Sequence, residues 1–313
     1  MDLKTLDDLN PSEYEHPFDA QALDTLQRTK GLDLVVKKFY ELGIERVLKL
    51  QYTGGSLKIT ASSMPEVYGL FQEACHILNL PDIPELYVQR AEGLEAITLG
   101  VDHPIVVFAS EAIEDLTDEE LLFVMGREIG HIKSRHVLYQ EIGAILPELA
   151  EAFSGITLGI GSLVSLGMRY ALFYWMQMAE YTADRAGLLA CQDIMVATKV
   201  LAKVAGLPKN YWDRFNPDDF ITQAREFEGF NEKSFDKILK FLYKNRLWAI
   251  ARANEFYKWT DSGAYQRVLD RETLKQAEPS LIAPGNLNFC PACGFKLSVP
   301  ASFCPQCGTR LSA

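Results

Sequence analysis

Apolar side chains recur at intervals of three or four residues through much of this chain, which is the spacing of one face of an α-helix. The helices that this pattern predicts span residues 19–47, 65–80, 170–205, 230–252 and 254–269. Pro81 follows the second helix and stops it, and the third is interrupted near Asp193. Residues 1–20 are polar and acidic, and we expect them to be poorly ordered or to lie on the surface.

Short apolar runs between the second and third helices predict a small β component. These runs are Glu85–Gln89, Ala96–Leu99 and Pro104–Ala109. Residues 48–60 are predicted to form a hairpin that turns at Gly54-Gly55, because apolar positions alternate on both sides of the glycines. The whole pattern predicts a mainly α protein with a small β-sheet.

A further helix begins with a capping box at residues 117–120, and its later turns contain an incomplete zinc-peptidase motif. Residues 126–136 read Gly-Arg-Glu-Ile-Gly-His-Ile-Lys-Ser-Arg-His. In an intact H-E-x-x-H helix, two histidines four residues apart bind zinc from one face, and the glutamate is the general base. Here Arg127 stands at the first histidine position, while Glu128 and His131 match the rest.

A zinc site on this helix would need a ligand from elsewhere, and Glu180 on a later predicted helix is the candidate. Asp184 lies one turn further on, where a hydrogen bond from it could orient His131. A guanidinium stays protonated and offers only hydrogen-bond donors, so Arg127 cannot bind zinc. We expect Arg127 to replace the metal as a counter-ion and to pair with Glu180 or Glu128.

Together the two segments resemble the motifs of the HtpX-like zinc metallopeptidases, the group that includes the CAAX prenyl proteases. The matching residues are Gly126, Glu128 and His131 in the first motif and Glu180, Ala183 and Asp184 in the second. The resemblance covers residues 60–270 and implies a gluzincin-like α+β metallopeptidase fold. It also implies zinc at His131 and Glu180, Glu128 as general base, and an extended polypeptide that pairs with an edge strand at residues 104–110.

Two departures from the family pattern bear on activity. The first is Arg127 at a ligand position. The second concerns a His-Pro pair that the family usually has six residues before a helical arginine. If Arg252 is that arginine, this chain has Arg246-Leu247 in its place.

Three functions therefore stay open. The favoured one is a pseudopeptidase that binds extended polypeptide with impaired or absent proteolysis, because a site without three ligands holds zinc weakly. The alternative is an active zinc endopeptidase that uses His131, Glu180 and an unidentified ligand, with Glu128 as general base. The third is an adaptor at a membrane surface.

The C-terminal residues contain two copies of Cys-Pro-x-Cys-Gly, which predict a zinc ribbon. The four cysteines are Cys290, Cys293, Cys304 and Cys307. Four thiolates complete a closed tetrahedral zinc site, so we expect a structural ion and an unknown protein partner for the ribbon. The predicted order is an N-terminal extension (1–60), a metallopeptidase-like domain (61–277), a linker (278–288) and the ribbon (289–313).

Composition narrows the partners and the compartment. The net charge of the 313-residue chain is −11, which argues against nucleic acid as the main partner. The metal-type cysteines and the absence of an apolar run near Met1 predict a cytoplasmic protein. Residues 152–168 carry no charge; a buried helical hairpin is favoured over a membrane span, and peripheral membrane contact stays open.

Of the remaining histidines, His16 and His76 have no partner in the sequence and are interpreted as structural. His136 lies five residues beyond His131, so on a continuous helix it would face away from the site, at the surface. His103 is expected in a loop near the cleft and remains a minor candidate ligand. Cys75 and Cys191 stand in apolar surroundings and are expected to be buried thiols.

Overall fold

Helices account for most of the part of the chain that the structure describes. The computed structural model describes residues 3–152, 166–227 and 249–270, apart from the side chains of 147–152 and 166. The helices are α1 (Pro17–Gln27), α2 (Leu32–Glu41), α3 (Ile44–Gly54), α4 (Pro65–Ile77), α5 (Ser110–Asp115), α6 (Asp118–Lys133), α7 (Val137–Ala152), α8 (Leu166–Cys191), α9 (Ile194–Val204), α10 (Pro217–Glu226), α11 (Ala249–Asp261) and α12 (Ala264–Leu269). The predicted mainly α class is therefore confirmed.

One mixed sheet accompanies the helices. Its strands are β1 (Leu57–Ile59), β2 (Glu85–Gln89), β3 (Ala96–Leu99) and β4 (Ile105–Ala109), in the order β1-β2-β4-β3. β2 and β4 run parallel, while β1 and β3 run antiparallel to their neighbours. The three strands predicted between residues 85 and 109 are confirmed, and the small sheet with them.

The hairpin predicted for residues 48–60 is wrong, because its first half forms helix α3 and its second half, β1, pairs with β2. Leu48 and Tyr52 are both half-buried, and they are spaced like neighbours on one face of a helix. Tyr52 packs against a buried cluster on the sheet that includes Leu99 and Val107. The apolar residues before Gly55 are therefore spaced as on one face of a helix, and this spacing agrees with the observed helix better than the alternation that predicted a strand.

The expected edge strand at residues 104–110 is in fact the central strand β4, which lies between β2 and β3. Its residues from Ile105 to Phe108 are all buried, as in a strand covered on both faces. The two edge strands are β1 and β3, and β3 is the one that pairs with β4. This correction matters because β3, and not β4, would offer its edge to another chain.

Glycines and one cap set the helix boundaries. Gly31 and Gly43 have φ values of 88° and 62°, a left-handed conformation that divides the helix predicted over 19–47 into α1, α2 and the start of α3. The break predicted near Asp193 is confirmed, and the Asp193 side chain caps α9. The break predicted between Arg252 and Asn254 is wrong, since α11 runs unbroken through both.

The N-terminal segment was expected to be poorly ordered or to lie on the surface, and this is corrected from residue 3 onward. Leu6, Leu9 and Tyr14 are at most 3% exposed and belong to the main hydrophobic core. The Leu6 N–H donates to the Ile77 carbonyl at 2.9 Å. Burial of these three side chains outweighs the polar composition of the segment.

Several predicted segments lie outside the described residues: 153–165 of the uncharged run, 228–248, the linker and the zinc ribbon. All described helices and strands belong to one compact unit, Met1–Leu269. Within that described part, no helix combines the length and the apolar character needed to cross a membrane.

Helices α6 and α8 pack in close contact through small residues. A Cβ added at Gly130 would lie 2.4 Å from the Ala186 Cβ, and one at Gly126 would lie 2.4 Å from the Ala190 Cβ. Separations this short leave no room for a methyl group between the helices. The contact holds the incomplete zinc motif of α6 directly against the helix that carries Glu180.

This packing predicts that Gly130→Ala destabilises the protein. We expect the free energy of unfolding to fall by about 1–3 kcal/mol, because the added methyl group overfills the contact with Ala186. Urea unfolding followed by circular dichroism measures the change.

Gly69→Ala is the matched control. Gly69 lies inside α4 and nothing would come within 4 Å of its added Cβ. Alanine should therefore raise the stability of this variant by about 0.5–1 kcal/mol through its better helix propensity. Equal effects of the two substitutions would contradict the packing argument.

Candidate functional site

Arg127 lies in the interior and pairs with both carboxylates of the second motif. It is 9% exposed, and its guanidinium donates from Nη2 to Glu180 Oε2 and from Nη1 to Asp184 Oδ1. α6 and α8 are thus joined by ion pairs as well as by small-residue packing. Although burial acts in the opposite direction, the Arg127 charge lowers the pKa of Glu180 to about 2.

A second buried arginine completes this network. Arg252 on α11 donates from Nε to Asp184 Oδ2 at 2.9 Å and from Nη2 to Asp184 Oδ1 at 2.6 Å. Asp184 is therefore shared by Arg127 and Arg252, and its carboxylate lies on these two arginines instead of orienting His131. The network ties three helices together at one point.

Glu128 follows Arg127 on α6 and faces edge strand β3. It is 5% exposed, and its Oε2 accepts a hydrogen bond from Thr98 Oγ1 at 2.7 Å. Burial raises the pKa of Glu128 to about 7, against the effect of the Thr98 hydrogen bond. Thr98 was not found from the sequence, although it is the one polar side chain in β3.

His131 is close to Glu180, and its other ring nitrogen meets a second histidine. His131 Nε2 lies 3.7 Å from Glu180 Oε1, while Nδ1 lies 2.9 Å from His136 Nδ1 and 3.1 Å from Gln140 Nε2. Burial lowers the pKa of His131 to about 3, which keeps the ring neutral near pH 7.

The expectation that His136 faces away at the surface is wrong. α6 ends at Lys133, and Arg135 adopts a φ of 58° that reverses the chain. The His136 N–H then donates to the His131 carbonyl at 2.9 Å, and the His136 side chain is fully buried. Helix periodicity failed here because the helix does not continue to residue 136.

Behind the two histidines is a buried carboxylate from the N-terminal segment. Asp19 accepts hydrogen bonds from Trp175 Nε1 at 2.9 Å and Thr182 Oγ1 at 2.6 Å, and it lies 3.1 Å from His136 Nε2. Burial acts to raise the pKa of Asp19, but His136 and Thr182 leave it below its usual value. Sequence reasoning missed this group, since its partners lie more than a hundred positions away.

A cavity of about 450 Å³ opens beside these groups. Edge strand β3 forms one wall along its full length, and α6, α7, α8, α9 and α11 contribute the others. Its apolar lining includes Ile97, Leu99, Phe123, Met176 and Val200, and its polar lining includes Arg127, Glu128, His131, Glu141 and Glu180. The cavity thus combines an apolar surface, an edge strand and a few polar groups.

Glu141 is a second carboxyl group held by the edge strand. It is 1% exposed, and its Oε1 accepts the Gly100 N–H at 2.8 Å, immediately after β3. Burial raises the pKa of Glu141 to about 7, opposed by that hydrogen bond. His103, the minor candidate ligand, lies exposed in the following loop, where its carbonyl accepts a hydrogen bond from Lys49 Nζ at 2.9 Å.

The donor set does not fit a zinc ion. Arg127 offers only protonated donors at the first ligand position, and its guanidinium already engages the carboxylate of Glu180. Among the residues that the structure describes, no group of three or more histidine, cysteine, aspartate or glutamate side chains could hold a metal ion. The four cysteines of the predicted ribbon lie outside the described residues, as does the linker before them.

Comparison with known proteins decides the family. The pattern that describes peptidase family M48 matches residues 62–243, more than half of the chain. This chain belongs to peptidase family M48. The match includes the α6 motif with Arg127 and the α8 motif with Glu180 and Asp184.

Curated M48 relatives include both plant and microbial proteins. The plastoglobule-localized metallopeptidase 48 of Arabidopsis thaliana is 30% identical over 273 residues, 86% of this chain and 78% of its own length. Protease HtpX homolog 2 of Methanosarcina mazei is 22% identical over 58% of this chain and 66% of its own length. A Protease HtpX homolog of Thermodesulfovibrio yellowstonii is 29% identical over 94 residues, which is 29% of this chain and 33% of its own length. No solved structure gives a significant match.

The raised pKa of Glu141 predicts a specific pH dependence of stability. Its carboxyl ionises near pH 4.5 in the unfolded chain and near pH 7 in the native protein, so the native state binds the extra proton between these values. This group therefore lowers stability as pH rises through that window. In the wild type, the free energy of unfolding should fall as pH rises through this window, and Glu141→Gln should make that fall smaller by up to about 3 kcal/mol.

Urea unfolding at pH 5 and at pH 8 measures this difference for the wild type and the variant. Glu114→Gln, at an exposed glutamate on α5, is the control and should leave the pH difference unchanged. A Glu141→Gln protein with the full wild-type pH difference would show that Glu141 is not the group responsible.

Proposed function

We propose that this chain is an M48 peptidase-like protein that binds extended polypeptide beside β3 and does not hydrolyse it through a zinc ion. The observation that carries the proposal is the buried guanidinium of Arg127 at the first ligand position, paired with Glu180 and Asp184. Zinc chemistry would require this side chain to leave two ion pairs and expose a new ligand.

Electrostatics favour the network over a metal. Arg127 and Arg252 balance the charges of Glu180 and Asp184, so the buried cluster has no excess negative charge to attract a dication. Breaking one member out of such a cluster leaves a buried charge unpaired and costs about 3–5 kcal/mol. Without a metal, water keeps a pKa near ~15.7 instead of ~7, and Glu128 alone cannot activate it for peptide hydrolysis.

The cleft itself supports polypeptide as the ligand. β3 is an edge strand along one wall, and an edge strand can pair with an extended chain through backbone hydrogen bonds. Its side chain Ile97 is 37% exposed and lines the cavity, where a bound chain would cover it. The names of the relatives describe proteases, which supports the same class of ligand.

We further propose a structural zinc ion at Cys290, Cys293, Cys304 and Cys307, an unknown protein partner for that ribbon, and a cytoplasmic location. Their support is the doubled Cys-Pro-x-Cys-Gly pattern and the overall cysteine usage.

The number of zinc ions bound per chain distinguishes the proposed peptidase-like protein from an active zinc endopeptidase. The purified wild type should contain about one zinc ion per chain, at the ribbon. Arg127→His should add a second, because the histidine restores the missing ligand beside His131 and Glu180. Arg127→Lys is the control and should add none.

Proteolysis of unfolded casein completes this experiment. The amount of peptide that the wild type releases from casein should not change when a chelator is added or when Glu128 is replaced by glutamine. Two zinc ions in the wild type, together with cleavage that Glu128→Gln abolishes, would establish the active endopeptidase that uses His131, Glu180 and a further ligand.

Binding tests the other half of the proposal. Ile97→Glu should weaken the binding of fluorescently labelled unfolded casein by about tenfold or more, because it places a charge where the bound chain would lie. Ile83→Glu is the matched control, at an isoleucine 42% exposed outside the cavity lining, and should bind like the wild type. Equal binding by both variants would argue against a polypeptide site beside β3.

A further inference from the structure

Helix α3 contributes no buried residue to the structure. Its inner face is half-buried, where Leu48 and Tyr52 lie towards the sheet. Polar contacts fix its position, because Glu45 Oε1 accepts the Val101 N–H at 2.8 Å and Lys49 Nζ donates to the His103 carbonyl at 2.9 Å. The helix is thus anchored to the loop that follows β3, and its outer face has a constant orientation.

The outer face of α3 exposes Val47 and Leu50, and Leu57, at the start of β1, is exposed as well. Leu50, Leu57 and Val47 are 70%, 63% and 61% exposed, the highest values among the large apolar side chains of the described residues. Leu42, at the end of α2, is 49% exposed. These four residues, Leu42, Val47, Leu50 and Leu57, are called the α3 surface below. A cluster of this kind on a soluble surface marks a contact with a protein or a membrane.

The segment that contains the α3 surface is more basic than the chain as a whole, and of its basic side chains Lys58 is paired with Glu85. Residues 37–58 contain five basic and two acidic side chains, although the whole chain has a net charge of −11. Glu41 pairs with Lys37 and Lys38, at 3.7 and 2.5 Å, so one carboxylate is shared by two ammonium groups. Arg46 is exposed on the same side of α3 as Leu50, four residues away.

We propose that the α3 surface docks on an anionic lipid bilayer. The apolar side chains of Val47 and Leu50 enter the boundary between headgroups and acyl chains, while Lys37 and Arg46 meet the lipid phosphates. This combination of exposed apolar and basic side chains is the one that an interfacial helix uses.

Charge also decides against the other natural occupant, a second copy of the chain. A two-fold interface would place the same patch against itself. The basic residues around Val47 and Leu50 would then face one another and repel. An anionic lipid surface offers the complementary charge along its whole extent.

Docking through α3 would bring the cleft close to the membrane. α3 holds the loop directly after β3, through Glu45 and Lys49, and β3 is the edge strand of the cleft. The inference about lipid does not depend on the proposed binding of polypeptide, since it rests on exposure and charge outside the cavity.

Vesicle co-sedimentation of the full-length protein tests the proposal. The wild type should sediment with vesicles of equal parts phosphatidylglycerol and phosphatidylcholine and should remain in solution with phosphatidylcholine alone. Higher ionic strength should weaken the binding, because it screens the basic side chains. These wild-type measurements do not depend on the folding of any variant.

Two double variants test whether vesicle binding uses the α3 surface and the basic side chains near it. Val47→Asp with Leu50→Asp, and Lys37→Glu with Arg46→Glu, should each reduce sedimentation by about tenfold or more. Ile194→Asp with Met195→Asp is the matched control, since these apolar residues on α9 are 37% and 41% exposed, and it should bind like the wild type. Circular dichroism checks that each variant is folded.

Three results would overturn the proposal. Sedimentation could fail with anionic vesicles, or occur equally with neutral ones. Folded α3 variants could bind like the wild type. Sedimentation equilibrium could show a dimer that Val47→Asp with Leu50→Asp dissociates, which would identify a second copy as the occupant of the surface.

Discussion

Asp184 accepts hydrogen bonds from the guanidinium groups of Arg127 and Arg252, and the rest of the site depends on this buried contact. It joins α6, α8 and α11 at one point and, through Arg127, fixes the carboxylate of Glu180. A zinc ion would organise the same helices by attracting anionic and neutral ligands to a dication. Here the side chains of Arg127 and Arg252 supply the positive charge that joins these helices.

The two halves of the cleft have different chemical characters as a result. On the side of Glu180, charges are paired and the ionised carboxylate is stabilised. On the side of β3, Glu128 and Glu141 are buried without a cationic partner among their hydrogen bonds, which come from Thr98 and Gly100. Two carboxyl groups whose pKa values burial raises to about 7 therefore lie against β3.

The motif residues could be predicted from the sequence because their spacing is local and helical. Small-residue packing of α6 on α8 then brought Arg127 and Glu180 together as the motifs required. His136 could not be predicted, since its position depends on a chain reversal at a non-glycine residue, Arg135. The strand order could not be predicted either, because three short strands that follow one another in the sequence can pair in more than one order. Asp19 could not be predicted because its hydrogen-bond partners, Trp175 and Thr182, lie far from it along the chain.

Asp19 also changes how the chain divides into parts. Its carboxylate lies against His136, and His136 lies against His131, so a residue from the first helix forms the inner wall behind the motif helix. Leu6 and Leu9 are likewise part of the main core. The described N-terminal residues and the helices that carry the two motifs consequently belong to one compact unit. A fragment that begins at residue 62, where the family pattern starts, would expose core surface and leave His136 without its carboxylate.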